Sequence, residues 1–259
     1  MEITLCSPPK GKEISINGAY VSFMASLLAK NISPATVIYY NSCFKVLDDF
    51  CDTKTTMCAE INETFVKNVK IKIMEKGVKD TSANSYLRGI RAMFYYFMNE
   101  EWINPPFKIK LLKGIKEVKE TYTDDELTAL LKKPDIKSCE FTEYRNWVII
   151  NYLLTTGNRT GTICELRVGD INLNTDNVKL RKTKNRQEQI IPINKSMRSI
   201  LKEYITIAKG VEDDYLFCNK DGNKLTEDAL KHAIHKYNKK RGVTIIMKTS
   251  DFVYICFAG

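Results

Sequence analysis

One arginine of this chain lies in a sequence that favours a tight turn between two helical segments. Arg159 follows the pair Gly157-Asn158, and both residue types tolerate the positive φ values that sharp turns need. A planar guanidinium presented from a turn can hold two phosphate oxygens at once, which suits phosphoryl-transfer chemistry. A second interpretation stays open, in which Arg159 forms an ion pair with a nearby acid, either Glu165 or Asp170.

A second candidate is Lys184, which lies in a basic turn between two runs that are typical of β-strands. Arg181, Lys182 and Arg186 surround it. An ammonium group on a flexible side chain can enter a groove and donate a proton to a leaving oxygen. The alternative is a hairpin tip whose charges only keep it hydrated, and the turn by itself does not decide between the two.

The composition is that of a folded, basic protein. Its 259 residues can form two domains of ordinary size, and a hydrophobic content of 44% can fill two cores, which excludes a disordered chain. Lysine and arginine outnumber aspartate and glutamate by 40 to 31, which gives a net charge of +9. This excess favours a polyanionic partner, although a basic soluble protein without one has the same composition. The sequence has no secretory signal and no run of about 18 apolar residues, so we expect a cytoplasmic protein that contacts no membrane.

The cysteine and histidine patterns argue against a metal site and against a disulfide framework. No C-x-x-C pair occurs, and most cysteines lie among apolar residues, so we expect buried free thiols. His232 and His235 fall on a predicted helix, where we interpret them as surface or packing residues. The sequence therefore predicts no metal and no cofactor. The eight cysteines are Cys6, Cys43, Cys51, Cys58, Cys139, Cys164, Cys218 and Cys256.

The first half of the chain predicts a four-helix domain at about residues 15–107, after a polar tail at 1–14. Apolar residues recur at helical spacing in four segments. The second segment begins with Ser33 followed by Pro34, a capping residue and then the residue type favoured at the first helical position. The predicted helices lie at about 17–30, 33–50, 62–76 and 81–103.

The sequence of the second half predicts a domain of helices and a small β-hairpin at residues 121–259. This domain follows a lysine-rich linker at residues 108–120. Thr123 and Glu126 have the spacing of a capping box at its start. The fold class that follows is mainly α, with two domains. The predicted elements are a long apolar helix at about 144–155, a helix to about residue 166, strands at 178–182 and 189–193, and helices at 196–208 and 226–240.

Basic residues concentrate on the third and fourth predicted helices and in the turn around Lys184. If the partner is a nucleic acid, these side chains are the candidates to contact it. A run of charges is also common on solvated faces that bind nothing, and this alternative stays open. The candidate DNA-binding residues are Lys67, Lys70, Lys72, Arg88, Arg91, Lys182 and Arg186.

Four stretches, in this order, resemble the tyrosine recombinase, or phage integrase, family over nearly the whole chain. Residues 33–40 (SPATVIYY) and 81–97 (TSANSYLRGIRAMFYYF) resemble two helices of the family's N-terminal core-binding domain. Residues 153–171 resemble its first arginine box. Residues 183–192 resemble its catalytic-lysine hairpin, and the spacing to Pro192 puts Lys184 in register with that lysine. Each stretch alone is weakly specific, but the combination is specific.

The resemblance implies a SAM-like helical core-binding domain and an α+β catalytic domain that close as a C-shaped clamp on double-stranded DNA. Members of the family cut one strand with a tyrosine, hold the DNA as a 3′-phosphotyrosyl ester and pass it to a partner strand, without a metal or cofactor. In that scheme Arg159 neutralises the scissile phosphate and Lys184 protonates the departing 5′-oxygen. The resemblance also implies self-association on DNA, as tetramers in full-length relatives, and integration or excision of a mobile element.

The last part of the sequence departs from the family pattern. The family has a His-x-x-Arg box, a later His or Trp and then the nucleophilic tyrosine, and none of these follows Ser250. Tyr254 lies beside the place of that box instead of well beyond it, and Thr162 stands where an acid commonly follows the first arginine. We therefore expect residues 251–259 not to be family sequence, the catalytic domain to be C-terminally incomplete, and the chain to be inactive alone.

Three functions are open from the sequence. The first is an enzyme, a site-specific recombinase that cuts and rejoins DNA. The second is a non-catalytic DNA-binding competitor or architectural factor at recombination sites. The third is a basic helical protein that binds RNA or a protein partner. The first predicts a covalent DNA adduct on a nicked substrate, and the second predicts only a reversible complex.

Overall fold

The computed structural model describes residues 13–113, 121–181 and 187–243. The chain forms two compact units, Met1–Glu117 and Val118–Gly259, which we call unit 1 and unit 2. Each unit has its own hydrophobic core. No helix in the described ranges is both long enough and apolar enough to cross a membrane.

Unit 1 contains four α-helices within residues 13–113, as the sequence predicts. They are α1 (Ile16–Leu28), α2 (Pro34–Asp48), α3 (Glu63–Glu75) and α4 (Asp80–Asn99). Side-chain oxygens of Ser15, Ser33 and Asn62 accept hydrogen bonds from backbone N–H groups in the first turns of α1, α2 and α3. Gly77, at φ +66°, follows the end of α3 in the left-handed conformation that favours glycine.

Helix α4 is the centre of unit 1 and packs against α1, α2 and α3. Its buried face carries Leu87, Phe94 and Phe97, so the apolar periodicity of this segment marks its core face correctly. The contact with α2 is especially close at Gly89. A Cβ atom added there would lie 2.3 Å from the Sγ atom of Cys43, so only glycine fits this contact.

After α4 the chain turns back along unit 1 as an extended segment, residues 107–112. Phe107 is half-buried and Ile109 is buried, whereas Lys108 and Lys110 between and after them are exposed. This alternation is the side-chain period of two of an extended strand. The lysine-rich stretch that the sequence assigns to the linker therefore begins on the surface of unit 1.

Unit 2 combines helices with a small sheet within residues 121–181 and 187–243. The helices are α5 (Asp124–Leu131), α6 (Phe141–Thr156), α7 (Thr160–Ile163), α8 (Lys195–Ala208) and α9 (Glu227–Lys240). The strands are β1 (Ile171–Asn172), β2 (Asn177–Leu180) and β3 (Gln189–Pro192). The predicted capping box is present at α5, where the Glu126 carboxylate accepts from Thr123 N at 2.9 Å.

Helix α6 is the core of unit 2 and packs against α5, α8 and α9. Val148, Ile149, Ile150 and Leu153 are completely buried, which agrees with the apolar run in the sequence. Helix α6 starts at Phe141, three residues before the predicted start. Its last turn leads to Arg159, so the most deeply buried helix of unit 2 holds one side of the arginine turn.

The sheet is antiparallel in the order β1-β2-β3, and the predicted hairpin of β2 and β3 is confirmed. Strand β1 is not predicted from the sequence because two residues are too few for a recognisable period. The predicted helix to residue 166 is wrong in its end, since α7 stops at Ile163. There the backbone leaves the helix to pair with another segment, and Leu216 N donates to Leu166 O at 2.8 Å. The fold as a whole is mainly α with a small sheet, as predicted.

Candidate functional site

The turn that carries Arg159 lies between the ends of two helices of unit 2. Helix α6 ends at Thr156, and Gly157 adopts φ +62°, while its N–H group donates to Leu153 O at 2.9 Å. Arg159 is the residue that caps the N-terminus of α7, and its side chain is exposed. The left-handed glycine turns the chain sharply, so the guanidinium starts from a fixed backbone position and extends into solvent.

Side-chain hydrogen bonds that the sequence does not predict hold this turn in place. Asn158 Nδ2 donates to the hydroxyl of Tyr152 at 3.0 Å. Thr156 Oγ1 donates to Tyr152 O at 2.7 Å and accepts from Asn158 N at 3.4 Å. Tyr152 is completely buried, and burial raises its pKa, so the hydroxyl stays protonated and available as an acceptor. An asparagine directly before a candidate arginine is the sequence signal for such a bond.

The two acids that could have paired with Arg159 are engaged elsewhere. Glu165 Oε1 accepts from Lys224 Nζ at 2.6 Å. Asp170 is buried, with an exposed fraction of 3%, and its carboxylate accepts from Arg181 Nε and from Arg167 N. Within the described ranges, no ion pair joins Arg159 to a carboxylate. Local pairing, the competing interpretation of Arg159, is therefore not what the structure contains.

Lys184, Lys182 and Arg186 lie outside the described residues. The base of their hairpin is described, because Leu180 pairs with Gln189 where β2 and β3 meet the connection. The ion pair of Arg181 with buried Asp170 fixes the end of β2, and the same contacts raise the pKa of Arg181. The hairpin that carries the candidate lysine thus starts from an anchored strand.

The structure brings only some of the candidate DNA-binding residues of unit 1 together in one pocket. Lys67 and Lys70 line a pocket of about 340 Å³ together with Lys108 and Lys110 of the 107–112 segment. Lys72 does not line it and forms an ion pair with Glu75 at 3.6 Å on the helix surface. On α4, Arg88 is exposed and Arg91 is half-buried. From the sequence, Lys108 and Lys110 are predicted only as part of a basic linker.

The described cysteines are free, and the two histidines lie on the surface of α9. Burial raises the pKa of Cys43 and Cys164 to about 11 and that of Cys58 to about 12, so these thiols stay protonated and unreactive. The six cysteines in the described ranges are free. His232 and His235 are exposed on α9, as predicted. The described residues contain no cluster of three or more His, Cys, Asp or Glu side chains that could hold a metal ion.

Comparison with known proteins identifies both halves of the chain. The family model described as phage integrase family matches residues 120–252, which is half of the chain, and the phage integrase SAM-like domain matches residues 18–111. The chain belongs to the phage integrase family. Arg159 and the β2–β3 hairpin both lie within the first of these matches, and the four helices of unit 1 lie almost entirely within the second.

Curated tyrosine recombinases are similar to this chain over most of its length. Tyrosine recombinase XerD of Staphylococcus epidermidis is 24% identical over 232 residues, which cover 86% of this chain and 77% of that protein. Tyrosine recombinase XerC of Thermodesulfovibrio yellowstonii is 25% identical over 178 residues, and the match covers 65% of this chain and 58% of that protein.

Two solved structures show the same fold. The Tn1549 transposon integrase in complex with transposon right end DNA gives a TM-score of 0.77 at 17% identity, covering 94% of this chain and 85% of that one. A lambda integrase dimer bound to a COC′ core site gives a TM-score of 0.73 at 16% identity, covering 94% of this chain and 88% of that one. At this identity the similarity establishes the fold alone.

Proposed function

We propose that this protein acts on double-stranded DNA as a site-specific tyrosine recombinase, in the integration or excision of a mobile element. The main support for the proposal is Arg159. Its side chain is exposed and lies in a turn that hydrogen bonds hold in place. No carboxylate among the described residues forms an ion pair with its guanidinium. Membership of the phage integrase family supports it. The solved structures of the same fold that are described as DNA complexes point to duplex DNA as the partner.

Arg159 would bind the scissile phosphate and stabilise the negative charge that builds up as the phosphorus becomes pentacoordinate. Lys184 would donate a proton to the 5′-oxygen as the P–O bond breaks, because an alkoxide is a poor leaving group. The phosphate remains esterified to the attacking tyrosine, so no external energy source is required. An arginine suits the first role better than a lysine because its fork of N–H groups matches two phosphate oxygens.

We also propose that a polypeptide of these 259 residues binds DNA without cutting it. Its sequence contains no His-x-x-Arg pattern, and His232 and His235 lie exposed on α9 with only two residues between them. A complex with DNA would then be reversible. This second function, a non-catalytic competitor or architectural factor at recombination sites, uses the same surfaces and differs only in the absence of a covalent step.

A trapping experiment on nicked duplex DNA distinguishes the two functions, because only a recombinase forms a covalent adduct. The nick lets the short strand diffuse away after cleavage, so a covalent protein–DNA adduct accumulates and survives denaturing electrophoresis. For this polypeptide we expect a complex on native gels and no adduct on denaturing gels. An adduct that is lost in Arg159→Ala would show that the chain cleaves and would refute the non-catalytic role.

The contribution of Arg159 is measured by its substitution. Arg159→Lys keeps the charge but loses the bidentate geometry, whereas Arg159→Ala loses both, so affinity for duplex DNA should fall in the order wild type, Lys, Ala. Arg198→Ala is the matched control, since Arg198 is an arginine of unit 2 that already pairs with Asp176 at 3.2 Å. Equal affinities of the Arg159→Ala variant and the wild type would contradict the role of Arg159.

Self-association on DNA is a further part of the proposal. Strand exchange joins two duplexes, and the solved relative described as a lambda integrase tetramer bound to a Holliday junction has the same fold. We expect mass photometry to detect a larger assembly on a four-way junction than on a single duplex. A single copy per junction at saturating protein would exclude this part.

A further inference from the structure

The buried carboxylate of Asp170 contacts both of the segments of unit 2 that lead to the candidate catalytic residues. One oxygen, Oδ2, accepts from the backbone N–H group of Arg167 at 2.9 Å. The other, Oδ1, accepts from Nε of Arg181, the residue directly after β2. A single carboxylate therefore joins the stretch that begins with the Arg159 turn to the strand that leads into the β2–β3 connection.

The stretch between Arg159 and Asp170 is short and its backbone is held along its length. Helix α7 starts directly after Arg159. Leu166 O then accepts from Leu216 N, and one turn of 3₁₀-helix, Val168–Asp170, follows. Because helix, backbone pairing and 3₁₀ turn follow one another with few free residues between them, a displacement of Asp170 also displaces the arginine turn.

Tyr152 of α6 provides a second connection between Asp170 and the same turn. Its hydroxyl accepts from Nδ2 of Asn158, the residue directly before Arg159, at 3.0 Å. Burial raises the pKa of this hydroxyl, and the negative charge of Asp170 raises it further. The charge is felt by the hydroxyl because both groups are buried and little water screens them. The carboxylate and the hydrogen bond that holds the turn therefore lie in one buried polar region.

The hairpin side of the contact is described up to its base. Leu180, the last residue of β2, is buried and pairs with Gln189 of β3. Arg181 follows, and its ion pair with Asp170 fixes the point at which the chain leaves the sheet. Lys184 comes three residues later, outside the described residues. The starting point of the connection that carries this lysine thus depends on the Asp170–Arg181 contact.

We propose that Asp170 is a positioning residue, which holds the Arg159 turn and the base of the β2–β3 hairpin in one fixed arrangement for binding a DNA phosphate. This role rests on the proposed function. Asp170 itself would not contact DNA, because its carboxylate is buried and negatively charged. A carboxylate suits the role because its two oxygens accept from two donors at once, whereas an amide of the same shape has one accepting oxygen.

Amide hydrogen exchange of the DNA-free chain tests the arrangement. Asp170→Ala removes both hydrogen bonds, and each such bond contributes about fivefold to an equilibrium constant. We expect exchange at least about fivefold faster in the 156–160 turn and also in β2 and β3. Glu203→Ala is the matched control, because it removes an acid of unit 2 that pairs with Lys133 at 2.7 Å. A role in stability alone would speed only the slowest core amides of α6, which exchange by global unfolding.

Variants that act on one side each show whether Asp170 connects the two sides. Tyr152→Phe removes the acceptor of Asn158, so only the 156–160 turn should exchange faster. Arg181→Gln removes the ion pair, so only β2 and β3 should exchange faster. Asp170→Asn keeps the side-chain shape and one accepting oxygen, so its effect should be intermediate. It replaces Asp170→Ala if the alanine variant does not fold.

A double-mutant cycle in DNA affinity shows whether Asp170 acts through Arg159. In the wild-type background, Arg159→Ala should weaken duplex DNA binding about tenfold. In the Asp170→Ala background the same change should weaken it about threefold or less, because the guanidinium is already misplaced. In the Glu203→Ala background the tenfold loss should remain, since independent sites combine within about a factor of two. A smaller folded fraction lowers both affinities of a pair equally and leaves their ratio unchanged.

The outcomes separate this role from the proposed function. If the wild type does not bind duplex DNA, the proposed function fails and the positioning role fails with it. If it binds DNA but Arg159→Ala causes the same loss in all three backgrounds, Asp170 is only a structural residue, and the proposed function stands. If Asp170→Ala speeds exchange on one side alone, the carboxylate does not connect the two segments and the inference is overturned.

Discussion

Replacing Gly89 by alanine should destabilise unit 1, although alanine is the better helix former. The new Cβ would lie 2.3 Å from Cys43 Sγ and 2.9 Å from Cys43 Cβ. Rotation of the thiol relieves the first contact and not the second, because the Cβ position is fixed by the backbone of α2. The two helices must therefore move apart, in a region where Cys43 is completely buried.

The size of the effect follows from two opposing contributions. Inserting a methyl group into a packed core costs about 1–3 kcal/mol and more where the backbone must move. Replacing glycine by alanine inside a helix stabilises the folded state by about 1 kcal/mol through the higher helix propensity of alanine. We expect a net loss of about 1–2 kcal/mol, which lowers the melting temperature of a unit of this size by roughly 5–15 °C.

The assay uses the two tryptophans, one in each unit. Trp102 is buried in unit 1 and Trp147 in unit 2, so a Trp147→Phe background leaves Trp102 as the fluorescence reporter of unit 1. Ser82→Ala, at an exposed position of α4, is the control for helix propensity and should be neutral or slightly stabilising. Adding Cys43→Ala to Gly89→Ala should recover little of the loss, because alanine keeps the Cβ atom that lies 2.9 Å from the new methyl group. If Gly89→Ala is as stable as the wild type, α2 and α4 do not pack this closely.

Three further predictions concern unit 2 and the buried thiols. Tyr152→Phe removes the hydroxyl that accepts from Asn158, so calorimetry should find a loss of stability of about 1 kcal/mol. DNA affinity should also fall because the turn that holds Arg159 loosens. Unchanged affinity would show that this hydrogen bond does not contribute to DNA binding. Asp170→Asn should cost about 1–2 kcal/mol, because a buried carboxylate that accepts from Arg181 is neutralised, and urea denaturation measures it. Burial raises the pKa of the Cys58 thiol in the folded state to about 12, above the ordinary value of 9.0. The contribution of this thiol to the free energy of unfolding is therefore complete below about pH 9 and is lost as the pH rises towards 12. Between about pH 8 and pH 10 the wild type should therefore lose about 1 kcal/mol more than Cys58→Ala, and parallel curves would exclude this cause.

The sequence predicts the helices well because their signals are local. Ser33 before Pro34, and Thr123 three residues before Glu126, mark helix starts that the structure contains. Apolar periodicity likewise identifies the buried face of α4. The predicted end of α7 is wrong because Leu166 O accepts a hydrogen bond from Leu216 N. Leu216 lies 50 residues further along the chain, so no local sequence pattern predicts this bond.

The sequence predicts which residues belong to the candidate site, but it does not predict how they are arranged in space. Arg159 is found from its turn, but the engagement of Glu165 by Lys224 is a tertiary contact that only the structure reveals. Lys70 and Lys72 look equivalent in the sequence, yet a helix turns by about 200° between residues two apart, which puts them on different sides. The same limit applies to the 107–112 segment, whose lysines look like linker residues until the bonds to Asn84 and Tyr95 are known.

The alternation of the 107–112 segment also restricts how its length can change during evolution. Linkers usually tolerate insertions and deletions, because surface loops adapt to a new length. Here a deletion of one residue between the two points where this segment is hydrogen-bonded to α4 would exchange the inward and outward positions, exposing Ile109 or turning Lys110 towards the core. Length variation among related chains should therefore be found after Leu112 and be rare before it.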